Sequence, residues 1–272
     1  MADSIETNND SALPTYKLRN NVDVIEPLTR YVKWCDDKSK KSGFFLRNEC
    51  QEILGSKGII LLKHHEIDPK LIEIMGEDNI KLLKETVEEK YIDKDAKVGD
   101  NTYTELSRLL RGVDEKSKRN KLKLDIMDLY ITSSEDDFKI LDIYINCINK
   151  LPNFKKVDQI SEMELTTNYI DPILSPLLHI PEINRHLLWL NRKEENTSSS
   201  RPDGVMKYFN QKSNGVTLGY CEVKPTDSLN SIDLLCQDLV RLALFSRNIM
   251  FRKTNRISCC LQIVGNLFSK LY

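Results

Sequence analysis

Two short segments, Arg201-Pro202-Asp203 and Gly219-Tyr220-Cys221-Glu222-Val223-Lys224, constrain this chain more than any other part of it. Side chains along a strand alternate between faces, so Glu222 and Lys224 share one face and Val223 points to the other. If the segments pair as an antiparallel hairpin with Asp203 opposite Glu222, the turn is centred between Lys212 and Ser213. That point lies inside Asn210-Gln211-Lys212-Ser213-Asn214-Gly215, the best turn composition in the region. Such pairing sets the two carboxylates about 5 Å apart at Cβ. Carboxylates that close repel each other unless a cation lies between them, and ligation by oxygen alone suits Mg²⁺ or Mn²⁺. Lys224, on the same face, is placed to orient an attacking water or to stabilise charge on a phosphate. The plain alternative is a surface hairpin whose lysine forms a salt bridge. Apolar Val216, Leu218 and Val223 argue for a buried one.

These residues resemble the PD-(D/E)XK nuclease superfamily. Pro202-Asp203 matches the first half of its motif and Glu222-Val223-Lys224 the second, within a likeness spanning residues 160–265. An expected helix before the hairpin, and one after it with Gln237 near its start, follow the order of that superfamily's core. Tyr169-Ile170-Asp171-Pro172-Ile173-Leu174, together with Gly-Tyr-Cys-Glu-Val-Lys-Pro, also resembles a group of fungal proteins that carry this core. The resemblance implies an α/β, restriction-endonuclease-like domain with a central mixed β-sheet flanked by helices. It implies metal-dependent hydrolysis of nucleic-acid phosphodiester bonds, with Asp203, Glu222 and Lys224 catalytic. A glutamate from the preceding helix, Glu164, would join Asp203 and Glu222 around the metal. Glu164 has a second reading, because Ser161-Glu162-Met163-Glu164 is an S-x-x-E capping box. Both stay open, and Glu162 falls on a different face. Gln237 stands where several branches place a glutamine that touches the site or the nucleic acid. The aromatic residue expected four positions on is Arg241 here. Arg201, Arg241, Arg247, Arg252, Lys253 and Arg256 are candidates for phosphate contacts.

The rest of the chain is read from its own pattern. Residues 1–22 are polar and aperiodic, as in a disordered tail. Residues 23–150 have helical periodicity. Asp68 is an N-cap ahead of Pro69, and further helices are expected over 121–131 and 137–151. Within 25–92, the stretch from Gly58 to Tyr91 resembles a sterile alpha motif domain in its apolar positions, with spacing too short around Gly76. A boundary is expected at Leu151-Pro152-Asn153, which leaves 151–272 as the nuclease-like domain. Helices are expected over 161–178, 181–190 and 231–247, and strands over 257–264 and 267–272.

Charge separates the halves. Residues 151–272 carry 15 Lys+Arg and 12 Asp+Glu, whereas the remainder carries 25 and 29. The small positive excess fits a polyanionic partner, DNA or RNA. The seven cysteines include no C-x-x-C pair, which speaks against a zinc ribbon and for a reducing, intracellular compartment, nuclear or cytoplasmic. No signal peptide and no membrane span is expected. The chain also lacks HExxH, GxGxxG, GxxxxGK[ST] and GxSxG patterns. The reading from another class is a nuclease fold without catalysis, a module for binding nucleic acid or for contacting a protein through the N-terminal helices.

Overall fold

A computed structural model describes residues 15–43, 45–62, 67–111, 113, 118–152, 158–190, 197, 201–210, 215–252, 257–265 and 267–271. The expected tail up to residue 14, the hairpin tip at 211–214, most of the 191–200 loop, Lys253 and Arg256 lie outside them. The chain divides into two compact units, Met1–Lys94 and Asp95–Tyr272.

The first unit packs α1 (Ile25–Ser42), α2 (Cys50–Gly55), α3 (Pro69–Met75) and α4 (Glu77–Tyr91) around Tyr31, Cys35, Leu71, Met75, Ile80 and Leu83. Asp68 caps α3 as expected. Its carboxylate accepts hydrogen bonds from the Lys70 N–H and, at 2.8 Å, from the buried Tyr31 hydroxyl. Gly76, at φ +80°, ends α3 and admits α4. The expected tail is corrected over residues 15–22. The Val24 N–H donates to the Tyr16 carbonyl at 3.0 Å, and Leu18 and Val24 are buried in the core of this unit. Two isolated apolar anchors suffice to fix such a turn but leave no periodic trace.

The second unit begins with α5 (Asp100–Arg111), α6 (Arg119–Thr132) and α7 (Phe138–Lys150), whose core is Leu106, Ile126, Leu129 and Leu141. The division between units therefore lies at 94/95 and not near 151, because α7 packs against a helix that follows the expected boundary. That helix runs over residues 162–178 in three parts: α8 (Glu162–Glu164), a π-helical turn (Leu165–Ile170) and α9 (Asp171–Leu178). Pro172 has no N–H to give the preceding turn, and the widened turn absorbs the break.

The five strands are β1 (Arg185–Trp189), β2 (Gly204–Tyr208), β3 (Val216–Lys224), β4 (Cys259–Val264) and β5 (Leu267–Leu271), in spatial order β1-β2-β3-β4-β5. β3 and β4 are parallel, joined through α10 (Ile232–Arg252), and every other pair is antiparallel. The sheet is mixed and the unit is α/β. Strand alternation divides its core in two. Met206, Cys221, Val223, Leu261 and Ile263 pack on Leu165, Ile170 and Leu174. Val205, Tyr220 and Cys260 meet Leu242, Phe245 and Ile249 of α10. The helix expected over 181–190 is instead a 3₁₀ turn (Pro181–Ile183) followed by β1. Asn184, at φ +55°, turns the chain out of helical geometry.

Candidate active site

The hairpin register follows the one anticipated. Gly204 pairs with Cys221, Val205 with Tyr220 and Met206 with Gly219, so the ladder continued by one residue sets Asp203 against Glu222. Asp203 stands immediately before β2, tied there by two hydrogen bonds. Its carbonyl accepts from the Leu190 N–H at 3.0 Å, and its Oδ2 accepts from the Val223 N–H at 2.8 Å. Beyond Met206 the register shifts, leaving Leu218 as the extra residue of a bulge. Gly219 permits the close approach of β4: a Cβ there would fall 1.6 Å from the Cys259 carbonyl oxygen.

Alternation along β3 turns Tyr220, Glu222 and Lys224 towards α10. The Lys224 ammonium lies 3.8 Å from Asp203 Oδ2, 3.7 Å from Glu222 Oε2, 3.8 Å from Asp238 Oδ2 and 3.5 Å from Glu162 Oε2. Across the site, Arg241 Nη2 is 2.5 Å from Glu222 Oε1 and 3.0 Å from Asp238 Oδ1. Four carboxylates thus surround two cationic side chains. Glu222 is 1% exposed and Asp238 2%. Such burial is uncommon for acids unless they are paired.

The electrostatics follow from that burial. Loss of hydration, then the charge of Asp203, raises the Glu222 carboxyl to about 7, against the pull of Arg241. Burial likewise raises Asp238, with Lys224 and Arg241 opposing. For Lys224, burial by itself would lower the pKa. The charges of Asp203, Asp238, Glu162 and Glu222 outweigh it, so the ammonium is held in its charged form. At 3.8 Å Lys224 gives Asp238 Oδ2 a charge partner but no hydrogen bond, and this oxygen is buried without one.

The anticipated residues divide as follows. Asp203, Glu222, Lys224 and Arg241 come together. Arg201 is exposed, and Gln237 is exposed on α10 while the next residue, Asp238, faces the site. The glutamate near Lys224 is Glu162 and not Glu164. The Glu164 N–H donates to Ser161 Oγ at 3.2 Å, which is half of the capping box. In the first turn of a helix three consecutive side chains fan over every face, so docking alone decides which one meets a neighbour. Asp238 left a trace in the sequence. It falls at helical spacing between Leu235 and Leu242, a charge within an apolar stripe.

Among the described residues no group of three or more His, Cys, Asp or Glu side chains is arranged to hold a metal ion. His179 and His186 meet edge to face at 4.9 Å between ring centres. The seven cysteines form no disulfide, and Cys221 and Cys260 are core residues. Among the described residues no helix is long and apolar enough to cross a membrane. Nothing matches the chain among protein-family models, curated proteins or solved structures.

Proposed function

We propose that the second unit is a PD-(D/E)XK-like, metal-dependent nuclease that hydrolyses phosphodiester bonds of nucleic acid. The observation that carries this reading is the meeting of the Asp203 and Glu222 carboxylates within 3.8 Å of the Lys224 ammonium, at the end of a strand pair whose register sets Asp203 against Glu222. Mg²⁺ commonly takes one or two carboxylates and fills its other positions with water and phosphate oxygens. Asp203 and Glu222 are the two carboxylates it would take, and Asp238 Oδ2, buried without a hydrogen bond, lies 3.8 Å from the same Lys224 ammonium, although as they stand the three do not form a ready-made metal group. Mn²⁺ would serve equally. The bound metal supplies polarisation of the phosphodiester and a more acidic water.

The protein's own groups do the rest. The Val223 N–H fixes the rotamer of Asp203. Lys224, kept protonated by its acidic neighbours, donates hydrogen bonds to a phosphate oxygen where charge accumulates. A general-base role is closed to it, since it has no free lone pair at neutral pH. DNA or RNA is the proposed partner, through its phosphates.

A second reading, a module for protein contact, is favoured by α6. Its Ile126 and Leu129 are buried, yet Leu124, Met127 and Ile131 form an exposed apolar stripe on the opposite side. One assay separates the two readings. Wild type, Asp203→Asn and Lys224→Ala are incubated with single- and double-stranded DNA and RNA, with and without Mn²⁺. The nuclease reading expects cleavage by wild type alone. It also expects a Mn²⁺-induced rise in Tm that Asp203→Asn loses and Lys224→Ala keeps. A wild type that neither binds Mn²⁺ nor cleaves any of the four substrates overturns it.

A further inference from the structure

We propose that Arg241 is an internal counter-cation which competes with the divalent metal for Glu222 and Asp238, so that metal entry releases its guanidinium to a nucleic-acid phosphate. The inference rests on the metal-dependent reading above and adds regulation to the same site.

The three side chains differ in their freedom to move. Glu222 and Asp238 are 1% and 2% exposed and cannot leave the site without unpacking it. Arg241 is 31% exposed, one helical turn beyond Asp238, with solvent within reach of its long side chain. Any exchange of partners at this point must therefore be made by the arginine.

Two unmet polar demands show what the exchange would satisfy. Asp238 Oδ2 is buried and accepts no hydrogen bond. Arg241 Nε is buried and donates none. A buried polar atom without a hydrogen bond is unfavourable, since burial has removed the water that would otherwise bond it. A cation at the carboxylates supplies what Oδ2 lacks. Movement of the guanidinium outwards returns Nε–H to water or to a phosphate oxygen. One rearrangement thus meets both demands.

Charge makes the exchange conditional. With Arg241 gone and nothing in its place, Glu222 and Asp238 would lose the ion pairs at 2.5 Å and 3.0 Å that offset their burial. Breaking a buried pair on one side only is strongly unfavourable. The guanidinium therefore stays until a cation arrives, and a divalent ion more than replaces its single charge. Once free, the planar fork suits two oxygens of one phosphate, which a lysine ammonium cannot span in the same way. Metal and nucleic acid then bind with positive coupling, and the coupling is reciprocal.

The test measures Mn²⁺ binding by calorimetry in wild type, Arg241→Gln and Arg241→Lys, with circular dichroism to show that each is folded. Removing the competitor should lower the Mn²⁺ Kd of Arg241→Gln by about tenfold or more, a change of about 1.4 kcal/mol. Arg241→Lys, which keeps the charge but loses the fork, should shift the same way by less, and it decides the matter if Arg241→Gln does not fold. Wild type that binds Mn²⁺ while the folded variants bind it equally or more weakly overturns the inference and leaves the metal site standing. Absence of Mn²⁺ binding in all three overturns both. The phosphate half is read by anisotropy of a labelled single-stranded oligonucleotide in a Lys224→Ala background, where cleavage is not expected. Mn²⁺ should tighten binding there, and the added Arg241→Gln should remove most of the gain. An equal gain in both chains refutes the release of Arg241 to phosphate.

Discussion

Glu222→Gln should stabilise the second unit, and only above the pH at which the glutamate ionises in the unfolded chain. The folded protein holds the Glu222 carboxyl at about 7 against an ordinary 4.5. A folded-state pKa above the unfolded value means that the folded state binds the proton more tightly. Stability is then fullest below about pH 4.5, declines as pH rises and levels off above about pH 7. At about 1.4 kcal/mol per pH unit the full decline is about 3 kcal/mol. Glutamine keeps the shape of the protonated acid and carries no charge at any pH, so it escapes the decline. The difference in unfolding free energy, variant minus wild type, should therefore grow from near zero at pH 4.5 to about 3 kcal/mol at pH 8. The chain has two tryptophans. In a Trp34→Phe background, Trp189 on β1 reports the second unit alone, and urea titrations in the presence of a chelator give the difference at each pH. A flat difference from pH 5 to 8 would refute the electrostatic reasoning. So would a variant less stable than wild type at pH 8, since the ion pairs to Arg241 and Lys224 would then outweigh desolvation. Mn²⁺ added at pH 8 should restore wild type and leave the variant nearly unmoved.

Two further substitutions test the frame around the site. Gly219→Ala sets a Cβ 1.6 Å from the Cys259 carbonyl oxygen. It should cost at least about 3 kcal/mol or prevent folding of the second unit, measured by the same Trp189 transition. In the first unit, Asp68→Ala removes the cap of α3 and strands the buried Tyr31 hydroxyl. The expected loss is about 2–4 kcal/mol on Trp34 fluorescence, with Asp68→Asn recovering more than half.

What was legible in the fold follows from the range of the interactions that set it. The Asp68-Pro69 start of α3, α6, α7, α10, β4 and β5 rest on local periodicity and capping, and they lie close to their expected places. β1 was hidden because Leu187-Leu188-Trp189 is too short a run to carry a period, and pairing with β2 decides its state. The turn at 16–24 was hidden because Leu18 and Val24 act through tertiary burial alone. The division at 94/95 was hidden for a related reason. Leu151-Pro152 looks like a linker, yet the helices on its two sides, α7 and α9, pack together. Composition does not reveal which helices share a core.

The site shows the same contrast at closer range. The placing of Asp203, Glu222 and Lys224 needs only strand alternation and a turn at a known centre, both properties of the chain in its own neighbourhood. Glu162 and Asp238 come from helices whose rotation about their axes is set by packing on the sheet, and a choice between 162 and 164, or 237 and 238, is a choice of rotation. Rotation is itself legible when the apolar stripe is followed without skipping charges. On α10, Leu235, Leu242 and Phe245 define the buried face, and Asp238 is the acid that falls on it. A carboxylate in that position is expensive unless cations meet it, and here Lys224 and Arg241 do. Retaining it in the core of a helix–sheet contact is a local conflict of the kind that supports the proposed site. Asp238→Asn, which keeps the shape and removes the charge that Lys224 and Arg241 meet, should therefore weaken Mn²⁺ binding as well as lower the stability of the second unit. A variant that loses stability but binds Mn²⁺ as wild type does would return Asp238 to a purely structural role.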